Sequence, residues 1–121
     1  EMLGNKMRAT NVNVWMINTG WCGGPYGVGN RMKLSYTRAM ITAALKGELE
    51  KVEYVAHRTF GMMMPKECPN VPSALLSPRY AWADEGEYDL KAKELGKMFI
   101  QNFEKYKAGV TQEILAAAPT V

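Results

Sequence analysis

Apolar positions along this chain fall into two periods. From Asn11 to Asn18 they alternate, with Val12, Val14 and Met16 on one face and Trp15 and Ile17 on the other. Both faces are largely apolar, which predicts a strand covered on both sides. From Asp84 to Lys107 the period lengthens. Tyr88, Ala92, Leu95, Phe99, Phe103 and Tyr106 recur at i+3 and i+4, which predicts an amphipathic helix about 36 Å long. Asp84 with Glu87 supplies an N-terminal capping pair. Lys91, Glu94 and Lys105 fall on its solvated face.

Weaker patterns fill the rest. Met2, Leu3 and Met7 have helical spacing, so Glu1 to Thr10 reads as the end of a helix or a linker, with Asn11 as its stop. Thr37 to Lys46 predicts a helix with Met40, Ile41, Ala44 and Leu45 on one stripe. Ser35 or Thr37 can cap its start and Gly47 can close its end. Glu53–Ala56 and Thr59–Met64 predict two short strands around His57-Arg58, ended by Pro65. Lys66 to Arg79 is punctuated by Pro69, Pro72 and Pro78 and predicts irregular structure. Beyond Gly109 the chain is alanine-rich, and residues 108–121 are expected to be a flexible or weakly helical tail with a short helix at Thr111–Ala118. These elements expose more apolar face than they can cover mutually, so the chain is expected to belong to something larger or to an obligate oligomer. Glu1 is not an initiator methionine, which adds the expectation that the chain begins within a longer protein or is processed.

Between the alternating run and the first interior helix lies Asn18-Thr19-Gly20-Trp21-Cys22-Gly23-Gly24-Pro25-Tyr26-Gly27-Val28-Gly29-Asn30-Arg31. A strand that empties into glycines offers bare backbone N–H groups to a phosphorylated ligand. The same composition also suits a flexible surface loop. Gly24 and Gly29 have Walker A spacing, but Asn30 and Arg31 stand where that motif needs Lys and Ser/Thr, so the motif is rejected.

Composition narrows the options. The chain has 121 residues, one domain's worth or part of one, with 47% hydrophobic and 22% charged residues. Fifteen basic and 12 acidic residues give a net charge of +3, scattered without a basic block, which argues against nucleic-acid binding. No apolar run approaches the roughly 20 residues that cross a bilayer, and no signal peptide is recognisable at the N-terminus. Cys22 and Cys68 make no disulfide or zinc framework and read as reduced thiols in a cytosolic protein. Met32, Met40 and Met62-Met63-Met64 read as core filler. The single histidine, His57, has no fixed Cys, Asp or Glu spacing and reads as structural. Glu48, Glu50 and Glu53 read as solvent-facing. No catalytic order and no metal set emerges within the chain.

One constellation remains. Arg31 offers a planar cation that can stack on a base, Met32 an apolar contact, and Thr37 a hydroxyl near a helix start. They could line a purine pocket beyond the glycine stretch. Thr37 as a simple cap is an equal reading.

At these residues the chain resembles a known family. Val14-Trp15-Met16-Ile17-Asn18-Thr19-Gly20-Trp21, Gly23-Gly24-Pro25-Tyr26-Gly27-Val28-Gly29, Arg31-Met32 and Tyr36-Thr37-Arg38-Ala39 closely resemble the C-terminal region of ATP-dependent phosphoenolpyruvate carboxykinase. The resemblance continues through Phe60-Gly61, Cys68-Pro69, Pro78-Arg79, Trp82-Ala83-Asp84 and Asn102-Phe103. It implies a mixed α/β (α+β) fold: the C-terminal portion of a nucleotide-binding lobe, with short strands and a long C-terminal amphipathic helix. Residues 1–121 would be part of that domain. It implies a cytoplasmic carboxy-lyase of gluconeogenesis that converts oxaloacetate and ATP to phosphoenolpyruvate, CO2 and ADP with Mg2+ and Mn2+. Arg31, Met32 and Thr37 would then bind the adenine side of ATP, and the glycine stretch would shape the nucleotide cleft. The family's kinase loop, its Mn2+ ligands and its oxaloacetate-binding arginines all precede this region, so this segment alone is expected to be inactive. Asn30 and Tyr80-Ala81 depart from the family pattern, and Cys22 falls at a variable position. The alternative is a free-standing, non-catalytic nucleotide-binding or assembly module from a truncated gene.

Overall fold

The computed structural model describes residues 2–18 and 20–121. Glu1 and Thr19, which belong to the expected N-terminal helix and the glycine-rich stretch, lie outside the described residues. The architecture is mixed α/β. Five α-helices, α1 (Met2–Thr10), α2 (Leu34–Leu45), α3 (Pro78–Ala81), α4 (Glu85–Phe103) and α5 (Gln112–Ala116), alternate with four short strands among the described residues. The strands form two antiparallel pairs: β1 (Trp21–Cys22) with β2 (Asn30–Arg31), and β3 (Tyr54–Ala56) with β4 (Met63–Pro65).

The expected doubly covered strand at 12–17 is not formed. A strand exists only against a neighbour, and this run pairs with no strand among the described residues. Its alternation nevertheless survives in burial. Val12, Val14 and Met16 are exposed, while Trp15 and Ile17 are half-buried. Trp15 packs on the small core of Ala43, Leu49, Cys68 and Val71, which α2 and the segments before β3 and α3 share.

Helix α1 stops where expected: Asn11 turns left-handed (φ 49°) and its N–H closes on the Met7 carbonyl at 2.9 Å. Helix α2 begins earlier than predicted. Its N-cap is Lys33, with no side-chain cap bond, so neither Ser35 nor Thr37 caps it. Gly47 (φ 70°) terminates it as expected. The segment expected to be irregular carries a 3-10 turn (Ser73–Leu75) and α3, each started by a proline or just after one. Of the three consecutive methionines, Met62 and Met63 are exposed, so they are not core filler here.

Helix α4 starts on Asp84, whose carboxylate accepts from the backbone N–H groups of Gly86 and Glu87 at 2.7 and 3.0 Å. Tightening into a 3-10 turn (Glu104–Gly109) ends it four residues before Lys107. Asp84→Ala is expected to cost about 1 kcal/mol of stability and Asp84→Asn much less, as read by chemical denaturation. Arg79 ties α3 to the first two turns of α4: its Nε and Nη2 donate to Asp89 at 2.9 and 3.0 Å, and it also pairs with Glu85. Each partner favours the other's charged form, which raises the Arg79 pKa and lowers that of Asp89. Residues 119–121 lie over Gly96 of α4, and the Thr120 N–H donates to the Thr59 carbonyl at 2.8 Å.

The chain does not cover itself. Its accessible surface is 9197 Å², against roughly 6500 Å² for a self-contained fold of this mass. Leu3, Met16, Val28, Leu34, Leu90 and Phe99 are among the large apolar side chains left in solvent.

Candidate functional site

The β1–β2 pair and the start of α2 build one concavity. Register pairs Trp21 with Arg31 and Cys22 with Asn30, and the Met32 N–H then donates to the Gly20 carbonyl at 3.1 Å. The chain turns into α2 within two residues. Arg31, Met32, Leu34 and Thr37 therefore line a cavity of about 380 Å³, within the usual range for a small-ligand site.

All three residues singled out from the sequence meet here. The Thr37 backbone N–H donates to the Lys33 carbonyl at 3.3 Å as part of the helix, and with Lys33 at the N-cap its hydroxyl has no capping duty. Arg31 is exposed at the cavity. Lys33 leans away, with its ammonium 5.7 Å from the centre of the Tyr36 ring. Leu34 is the lining residue that sequence reasoning missed. An isolated leucine before a helix carries no chemical signal, and only the turn between β2 and α2 brings it beside Arg31. Leu34 and Met32 supply apolar walls, Arg31 a planar cation, and Thr37 a hydroxyl: a set suited to a flat heteroaromatic ring with polar edges.

The glycine stretch is a hairpin rather than the open loop expected. Its ends pair as β1 and β2, and the Val28 and Gly29 N–H groups both donate inward to the Pro25 carbonyl at 3.0 Å. Those donors are spent within the turn instead of facing a phosphate.

Other chemistry-bearing residues are occupied structurally. His57 Nδ1 accepts from the Thr59 and Phe60 N–H groups, both at 3.2 Å. Its proton therefore sits on Nε2 and donates to the Tyr88 hydroxyl at 2.6 Å. Both nitrogens are in use, so His57 is not a free metal ligand or base. Burial lowers its pKa, opposed by the Asp89 charge. Cys68 is buried, and that burial, with Glu48 nearby, pushes its thiol up and keeps it protonated. No group of three or more His, Cys, Asp or Glu side chains suited to a metal comes together among the described residues.

The cavity thus sits between a glycine hairpin and the start of α2, in a mixed α/β segment. Comparison with known proteins gives the family. The sequence profile of the phosphoenolpyruvate carboxykinase family, in its ATP-dependent form, matches residues 1–74. The phosphoenolpyruvate carboxykinase (ATP) of Christiangramia forsetii is 57% identical over 98% of this chain, and that of Flavobacterium johnsoniae 59% over the same share. The Brevibacillus brevis protein of the same name is 56% identical over the whole chain. The chain belongs to the ATP-dependent phosphoenolpyruvate carboxykinase family. It spans 22–23% of the length of these relatives.

Proposed function

We propose that this segment forms the adenine side of the ATP site in a carboxykinase that converts oxaloacetate and ATP to phosphoenolpyruvate, CO2 and ADP. The observation that carries this reading is the shared cavity of Arg31, Met32 and Thr37. Leu34 and Met32 would sandwich the purine, Arg31 would stack on it or bond a ring nitrogen, and Thr37 would meet a polar edge. The names of the relatives support ATP as the nucleotide.

Phosphoryl transfer needs divalent metal and cations on the moving charge. In this reading Mg2+ and Mn2+ would be held by other parts of the enzyme, as would oxaloacetate. The exposed apolar surface supports the same division. An excess of roughly 2700 Å² of total surface over a self-contained fold matches about one side of a large permanent interface, whose two sides together bury up to about 5,000 Å² or more, and the rest of a full-length carboxykinase would cover it. No helix among the described residues is long and apolar enough to cross a membrane, and a cytoplasmic location fits the proposed gluconeogenic role.

The test pairs a mass with an assay. An antibody to this segment should detect a native polypeptide several times heavier than 13.5 kDa, and that polypeptide should form phosphoenolpyruvate from oxaloacetate only with ATP. The isolated segment should show no turnover under the same conditions. A native product near 13.5 kDa would favour the free-standing nucleotide-binding module, and turnover by the isolated segment would overturn the division of labour.

A further inference from the structure

We propose that Gly29, together with Gly24, is a positioning residue for the nucleotide cavity: the contact between the two glycines sets the register that delivers Arg31 and Met32. The proposal rests on the adenine-site reading above and adds a cause for its geometry.

The two glycines are buried against each other, backbone to backbone. A Cβ on Gly29 would lie 2.6 Å from the Cys22 carbonyl oxygen, 2.7 Å from the Gly24 oxygen and 2.8 Å from the Gly24 nitrogen. All three neighbours are main-chain atoms, which cannot swing aside as a side chain would. To reach ordinary contact at 3.4 Å, the Cys22 carbonyl would have to retreat by about 0.8 Å. Gly24 sits at φ 156°, and a Cβ there would meet the Gly29 nitrogen at 3.0 Å and Val28 Cγ1 at 3.1 Å. Gly27, in the same turn, has nothing within 4 Å.

This contact lies directly below a ladder of only two residue pairs, Trp21 with Arg31 and Cys22 with Asn30. So short a ladder specifies its own register weakly, and a slip by one residue would turn Arg31 to the other face. The loop between the strands must therefore take up a fixed length. The Gly24–Gly29 contact and the paired N–H bonds to the Pro25 carbonyl do this. Cys22, the residue that a Gly29 side chain would push, is the partner of Asn30, the immediate neighbour of Arg31.

The experiment uses the full-length enzyme carrying this segment. Gly29→Ala should raise the KM for ATP by about ten-fold, with kcat and the KM for oxaloacetate held within about two-fold. Gly109→Ala, where nothing lies within 4 Å, should change none of these. Because Gly29 acts through Arg31, the Gly29→Ala/Arg31→Ala double variant should fall well short of the product of the two single effects. A folded Gly29→Ala enzyme with unchanged KM for ATP, equal loss for both substrates, or a double variant that reaches the full product would each overturn the proposal. An Arg31→Ala enzyme with unaltered ATP kinetics would instead overturn the adenine-site reading itself, and this inference with it. Should Gly29→Ala not accumulate as folded protein, Gly24→Ala, which meets the same contact at 3.0 Å instead of 2.6 Å but adds backbone strain at φ 156°, is judged by the same outcomes.

Discussion

Arg31→Ala in the full-length enzyme is expected to raise the apparent KM for ATP by about ten-fold or more and to leave that for oxaloacetate within about two-fold. The guanidinium lines the cavity beside Met32, Leu34 and Thr37. A hydrogen bond from a charged donor contributes about 1.5–3 kcal/mol, and stacking of a cation on a ring about 0.5–2 kcal/mol. Arg31 is exposed, so solvent screens part of this and the low end of the range applies. That is still about a factor of ten. Arg31→Lys should recover little, because an ammonium keeps the charge but loses the planar face. The split between substrates is the decisive readout in steady-state kinetics. A residue that only held the fold together would damage both substrates alike, and equal changes would remove Arg31 from the adenine site.

How far such a site can be read from sequence depends on how local its causes are. Helix α4 was legible because its signals are local: a 3.6-residue stripe and an aspartate one residue before the first turn, which the structure uses as the cap. Of the two short runs expected around His57-Arg58, the first contains β3, but the second holds only the start of β4: Thr59 and Phe60 fall in the turn, and Pro65 lies inside the strand it was expected to end, paired with Tyr54. The run from Val12 to Ile17 has an equally clear period, but a ladder needs a neighbour, and the elements present supply none. The start of α2 was misplaced because Ser35 and Thr37 look like caps, whereas the turn from β2 brings the chain into the helix at Lys33. The glycine stretch was legible as a special backbone but not as a hairpin. Whether glycines open a loop to a ligand or let it close on itself depends on contacts such as Gly24 with Gly29, which no spacing rule contains. At the cavity, Arg31, Met32 and Thr37 carried recognisable chemistry. Leu34 carried none, and its role comes only from position.

The pairing of His57 with Tyr88, 31 residues apart, was equally invisible, and it supports the second large expected effect. His57 stitches the turn between β3 and β4 to helix α4. Its ring is buried, accepts two backbone N–H groups at Nδ1 and donates at Nε2. His57→Ala removes the acceptor from the Thr59 and Phe60 N–H groups, opens a gap beside Phe60 and Tyr88, and is expected to cost about 3 kcal/mol. Equilibrium denaturation of the full-length enzyme checks this, and a loss below about 0.5 kcal/mol would show that the network is incidental. The same geometry fixes a pH dependence. Protonating Nδ1 destroys both acceptor bonds and places a charge in a buried site, so burial holds the folded pKa below the ordinary 6.5, against the pull of Asp89. The unfolded chain thus binds the proton more readily than the folded one. Stability from His57 is fully present above pH 6.5 and is lost as the pH falls from there through the depressed folded value. Melting temperature should therefore drop more steeply below pH 6.5 in the native sequence than in His57→Gln, whose amide has no proton to gain in this range. Parallel curves for the two proteins would mean that the imidazole is not held neutral by this site.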